Sequence, residues 1–168
     1  MLRKFRALFV FVLIMAVYSN MVFAATKSTS NIHKVFADKG NKFLSDIRWR
    51  PGTVYNGKQK PKLSPYNCRG CCAYAADFVK YVFGKNSPRD GVLFKNINQI
   101  RKGDLIVATG PSHWIVVVGR KGNSLNTIEG NWMGGKVDRS NGAYTIEKNR
   151  LYRNGKPFRT FAYGYHFM

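Results

Sequence analysis

Hydrophobic positions change their spacing along this chain, and each change marks an element. Ala7 to Val17 is an unbroken apolar run, preceded by Arg3, Lys4 and Arg6 and followed by Val22, Phe23 and Ala24. That order of basic, apolar and small residues predicts a secretory signal over residues 1–24, with cleavage before Ala25. The alternative is an uncleaved anchor, since the stretch from Ala7 to Ala25 is interrupted only by Ser19 and Asn20 and nearly reaches the length of a bilayer span. Beyond it the spacing becomes helical. Asn31 to Ile47 offers Val35, Phe36, Phe43, Leu44 and Ile47 to one apolar side, weakened by Gly40. Arg50 to Asn67 carries Pro51, Gly52, Gly57, Pro61 and Pro65, which predicts a long loop. Ala75, Phe78, Val79, Val82 and Phe83 then fall at i, i+3, i+4, i+7 and i+8, and Gly84 closes the segment, the clearest helix in the chain.

After a turn-rich stretch around Asn86 to Gly91 the pattern shifts to short apolar runs. Leu105 to Thr109, His113 to Gly119 and Ser124 to Glu129 are separated by Gly110-Pro111-Ser112 and Lys121-Gly122-Asn123, which reads as an antiparallel meander. Phe161, Tyr163, Tyr165 and Phe167 alternate strictly and predict a last strand. Helices first and a sheet afterwards give an α+β fold, with N-terminal helices packed on an antiparallel β-sheet. Residues 25–168 form one domain: no repeat, low-complexity tail or second core is visible.

Charge narrows the partners. The chain holds 28 Lys and Arg against 8 Asp and Glu; without residues 1–24 it keeps 25 against the same 8, a net +17. A secreted or envelope-associated domain this basic implies an anionic partner, such as a wall polymer, phospholipid, acidic polysaccharide or released nucleic acid. No specific nucleic acid is expected, nor a membrane span once the signal is removed, and the expected state is a monomer. The three cysteines, Cys68, Cys71 and Cys72, lie within five residues. A disulfide-built exported domain would distribute an even number along its length, so the cluster points to local chemistry or to burial.

A thiol becomes a useful nucleophile when its pKa is lowered, and the first turn of a helix does this through its unpaired N–H groups. Cys71 and Cys72 sit where the Ala75–Phe83 helix begins. A histidine must then accept and return the proton, and a polar residue must hold its imidazole in one tautomer. His113, at the head of a buried strand, is the candidate; His33 reads as surface, and His166 faces away from the last strand's aromatic stripe. Glu129, at a strand end, and Asn131 are the candidates to orient the imidazole. A three-residue loop at Lys121-Gly122-Asn123 places His113 opposite Asn131 with Glu129 diagonal on the same face, whereas a two-residue turn at Lys121-Gly122 sends both away. The site therefore requires the longer loop or a bulge. Periodicity does not choose among the three cysteines, and a zinc site of the cysteines with His113 lacks the usual spaced ligand pairs.

These residues resemble a family. Gly70-Cys71-Cys72-Ala73-Tyr74-Ala75 is similar to the nucleophile segment of CHAP domains, the cysteine, histidine-dependent amidohydrolases and peptidases, and that match selects Cys71. Gly103-Asp104-Leu105-Ile106-Val107 and Ser112-His113-Trp114-Ile115-Val116-Val117 resemble the family's glycine-aspartate and histidine strands, and Glu129-Gly130-Asn131-Trp132 its acidic and amide pair followed by an aromatic. The resemblance covers Gly70 to Trp132. It implies a papain-like fold, a thioester mechanism and cleavage of amide or peptide bonds in peptidoglycan, with Cys71, His113, Glu129 and Asn131 catalytic and Tyr74, Trp114 and Trp132 against the substrate. No metal or organic cofactor is implied. Two departures stand out: Gly70 occupies the place of a glutamine that precedes the cysteine in many CHAP domains, and the interval from Cys71 to His113 is short. An alternative alignment to NlpC-type peptidases, through Asn67-Cys68-Arg69-Gly70, makes Cys68 the nucleophile. The rival functions are a non-catalytic cationic protein that binds anionic wall polymer, and a hydrolase directed at another protein or a small amide.

Overall fold

The computed structural model describes residues 34–110, 112–148 and 150–167. The expected signal segment and His33 lie outside the described residues. The fold is α+β, with few helices packed on one antiparallel sheet of eight strands. A π-helical turn, Phe36–Gly40, runs into the short helix α1, Asn41–Ser45. The first helix thus ends before the expected Ile47, whose side chain is 68% exposed; Phe36, Phe43 and Leu44 supply its buried side. The long helix α2 spans Cys71–Phe83, four residues earlier at its start than the apolar periodicity alone requires. Gly84 ends it in the left-handed conformation, φ 71°, with its N–H donating to Lys80 O.

The strands are β1 (Val92–Phe94), β2 (Leu105–Ala108), β3 (His113–Lys121), β4 (Ser124–Trp132), β5 (Lys136–Glu147), β6 (Arg150–Arg153), β7 (Lys156–Pro157) and β8 (Phe161–His166). Their spatial order is β1-β8-β2-β3-β4-β5-β6-β7. The central strands are buried on both faces, which is why β2 and the first half of β3 read as continuous apolar runs. On one face α2 packs Phe78, Val79 and Val82 with Leu105, Trp114, Val116 and Ile128; full burial of each such side chain stabilises by about 1.5–3 kcal/mol. On the other, Phe94 of β1 and Leu151 of β6 meet in a second core with Ile115, Leu125 and Tyr144.

An aromatic cluster fixes the N-terminal segment to α2. Phe43 stacks on Trp49 at 4.6 Å and meets Tyr74 and Phe78 edge-on at 5.6 and 5.4 Å. Asp77, fully buried on α2, ties down the long loop: it accepts hydrogen bonds from Trp49 Nε1 (3.3 Å), Tyr55 Oη (2.8 Å) and the backbone N–H groups of Lys62, Leu63 and Ser64 (2.8, 2.7 and 3.1 Å). A buried charge persists only where such bonds surround it. Among the described residues no helix is long and apolar enough to cross a membrane.

Candidate active site

Two local features bring α2 and the β3–β4 hairpin to one point. Gly130 lies between Glu129 and Asn131, and a Cβ there would sit 2.5 Å from Tyr74 Cβ. Only glycine lets helix and strand approach this closely, so the first turn of α2 is pressed against the C-terminal end of β4. The second feature is register. The hairpin turns through two residues, Gly122 and Asn123, with Lys121 opposite Ser124 and Arg120 opposite Leu125. A bulge at Val118 then shifts the pairing, so that Val117 faces Thr127 and Val116 faces Ile128. This is the register that the three-residue loop would have produced, reached through the bulge instead.

His113 and Glu129 consequently meet: His113 Nε2 is hydrogen-bonded to Glu129 Oε2, and both side chains are buried. A carboxylate only accepts, so Nε2 carries the proton and Nδ1 is the nitrogen left for the thiol. Cys71 stands at the start of α2, 8% exposed, with Sγ 3.7 Å from the carbonyl oxygen of Ser112. Burial pushes its thiol up, but the hydrogen bond and charge of His113, with backbone N–H groups of Trp114 and Cys72, outweigh burial and hold it below its ordinary 9.0. His113 moves the other way. Burial works against its imidazolium, yet the bond to Cys71 and the bond and charge of Glu129 raise it to about 9. The two shifts run in opposite directions, and each favours the charged form of its group.

Glu129 is held in turn by a second ring of groups. Tyr144 Oη lies 3.0 and 3.1 Å from its two oxygens, and Arg153 Nη1 lies 3.4 Å from Oε1. Burial and the negative Glu129 keep the Tyr144 phenol protonated, well above its ordinary value. Trp132 and Phe158 wall the outer side of the imidazole, with ring centroids 5.5 and 6.5 Å from it. They border a cleft of ≈ 360 Å³ whose lining includes Met133, Arg153 and Lys156.

Other expected site residues are placed differently. Asn131 makes no hydrogen bond to His113; its side chain is exposed and lies against Gly57 and Gly70, beside the start of α2. Tyr74 is fully buried, its hydroxyl donating to Trp49 O at 3.1 Å, so its ring serves the core and not a substrate groove. Trp114 is also buried, parallel to Tyr165, and reaches the site only through the N–H it offers to Cys71. Trp132 alone of the three aromatics stands beside the imidazole with part of its surface open.

Cys68 precedes the helix and pairs with Cys72 rather than with His113; that contact, together with burial, pushes the Cys72 thiol well above its ordinary value. All three cysteines are free thiols. His166 is bonded through Nδ1 to the buried Asp104 at 2.9 Å and stacks on Phe94 at 4.1 Å. Among the described residues no group of three or more His, Cys, Asp or Glu is placed to hold a metal ion. Asp77, Tyr144 and Arg153 went unrecognised in the sequence. A carboxylate inside the most apolar helix of a chain with only eight acidic residues is a signal for the first; the Asn154-Gly155 turn dipeptide, which closes β6 onto β7, is one for the strand carrying Arg153.

Gly70 has a local reason to be glycine. Its backbone is at φ 61°, ψ −128°, and a Cβ would fall 3.0 Å from Asn131 Nδ2 and 3.2 Å from Gly57 Cα. No family model, curated protein or solved structure matches this chain.

Proposed function

We propose that this protein is a secreted cysteine amidase or endopeptidase of CHAP type, with a papain-like arrangement of nucleophile helix and histidine sheet. Its substrate class is the amide and peptide bonds of bacterial peptidoglycan. The observation that carries this reading is the joint placement of a lowered Cys71 thiol at a helix start and a raised His113 bonded to the buried Glu129.

In the reaction Cys71 Sγ attacks the carbonyl carbon, and negative charge moves to the carbonyl oxygen. The N–H groups at the start of α2 have no acceptor within the helix, since its first bond runs from Tyr74 N–H to Gly70 O at 3.0 Å. Together with Asn131, which lies beside Gly70, they are the donors for that oxygen. The C–N bond breaks as His113 gives its proton to the leaving amine, leaving a thioester on Cys71. Water then attacks the thioester carbon, His113 takes its proton, and the carboxylic acid departs with the thiolate–imidazolium pair restored. Glu129 holds the imidazole in the tautomer that presents Nδ1 to sulfur. The excess of basic residues holds the domain on anionic wall polymer.

Mass spectrometry of fragments released from purified peptidoglycan tests this reading. Native protein should release fragments with new amine and carboxyl ends, and Cys71→Ala and His113→Ala should release none while remaining folded. Wall binding without release by the native protein would make the chain the cationic binding protein instead.

A further inference from the structure

Arg153 is placed where a simple surface ion pair is not. Its side chain is 14% exposed and lies between two carboxylates: Nη2 bonds Asp138 Oδ2 at 2.6 Å, and Nη1 lies 3.4 Å from Glu129 Oε1. Nη1 also donates to Tyr144 Oη at 3.3 Å, the hydroxyl that itself bonds Glu129. The guanidinium covers the Trp132 ring at 3.7 Å, and that ring walls the imidazole. One side chain on β6 therefore reaches both the carboxylate behind His113 and the aromatic in front of it.

We propose that Arg153 is a positioning residue of this site, which sets how much negative charge Glu129 presents to His113 by dividing its own charge between Glu129 and Asp138, and which holds Trp132 against the imidazole. The proposal rests on the hydrolase reading for its consequence but not for its geometry. The groups facing His113 are Cys71 from α2, Glu129 from β4 and, behind Glu129, Tyr144 and Asp138 from β5 and Arg153 from β6. Arg159 lies over the Phe158 ring, at 5.5 Å. Removing the Arg153 charge leaves Glu129 more strongly negative toward the imidazole and deletes a nearby positive charge, and both changes favour the imidazolium. Removing the Asp138 charge releases Arg153 toward Glu129 and favours the neutral ring. The two variants act with opposite signs, which loss of packing does not produce.

The test is an NMR titration of histidine in the purified chain, with the His113 signal identified by its loss in His113→Gln. Arg153→Gln should raise the His113 midpoint by about half a pH unit or more, and Asp138→Asn should lower it by less. Arg153→Lys, which keeps the charge but not the planar fork, should restore most of the native midpoint. Unmoved midpoints, or movement in the same direction for both variants, would overturn the proposal. If Arg153→Gln does not fold, Asp138→Asn decides alone, and a midpoint that fails to fall rejects it. Expected midpoints in a protein that releases nothing from peptidoglycan would leave the charge division standing and remove the hydrolase reading.

Discussion

Replacing Glu129 by Gln keeps the shape of the side chain and removes one buried charge. In the native protein His113 is raised from an ordinary 6.5 to about 9, which corresponds to about 3 kcal/mol in favour of the imidazolium. Burial opposes that charge, while Cys71 and Glu129 supply it. An opposite charge in contact moves a titration by about 1–3 pH units, so Glu129→Gln should bring the His113 midpoint down by that amount. The double variant Glu129→Gln/Cys71→Ala retains burial alone and should titrate below 6.5. The sign of the stability effect follows from proton linkage. The native imidazole holds its proton between pH 6.5 and about 9, so its own contribution is complete below 6.5 and is lost as pH rises through about 9, whereas the Cys71 thiol, held below 9.0, acts in the opposite direction. In a Cys71→Ala background, where no thiol offsets the imidazole, urea unfolding across pH 6–10 should therefore show a stability difference between the chain with Glu129 and its Glu129→Gln variant that shrinks with rising pH, by about 1–4 kcal/mol. A difference that stays constant over that range would mean that Glu129 does not hold the imidazole protonated, and the electrostatic account of the site would be wrong.

Asp77→Ala strands five hydrogen-bond donors, two from buried rings and three from the backbone; urea unfolding should show a loss of at least about 3 kcal/mol, and a near-native midpoint would show that the carboxylate does not organise the loop. Gly70→Gln, which writes in the glutamine of many CHAP domains, should destabilise by about 1–3 kcal/mol and fail to raise turnover, because φ 61°, ψ −128° is a backbone conformation that a side chain strains and its Cβ would press on Asn131 and Gly57; a stable, faster variant would refute this. Wall binding should fall steeply between low and high salt, while hydrolysis of a short soluble fragment changes little, because exposed charges are screened beyond a Debye length of about 8 Å at physiological ionic strength; binding that resists salt would exclude the basic surface as the anchor.

The parts of the fold that are legible in the sequence are those whose pattern is simple. α2 with its Gly84 stop and β8 have apolar positions at one clear period, and β2 to β4 are short apolar runs bounded by turn residues. β5 does not: its buried residues Val137, Ser140, Tyr144 and Ile146 are spaced by three, four and two, because Gly142 at φ 73° and shifts of register interrupt the alternation. Without a legible pattern for β5 to β7 nothing in the sequence places Tyr144 and Arg153 near Glu129, whereas the His113–Glu129 pairing follows once a bulge is allowed. The Val118 bulge itself has no residue signature in an apolar run. Asn131 and Glu129, two residues apart, share a face in a regular strand; Asn131, at φ 57°, turns out of the strand toward Gly70 instead. The aromatics Tyr74 and Trp114 follow the site residues in sequence but face the helix–sheet core, a distinction fixed by which side of each element packs.

Peptide mapping after a substoichiometric dose of iodoacetamide at pH 6 tests the central claim most directly, because a thiol of ordinary pKa 9.0 is almost entirely protonated there. The account predicts label on Cys71, with Cys68 and Cys72 unmodified, and loss of that preference in His113→Ala. Cys68→Ser should label as the native chain does. Label concentrated on Cys68, or spread evenly over the three cysteines and insensitive to His113, would contradict the assignment of Cys71 as the activated nucleophile.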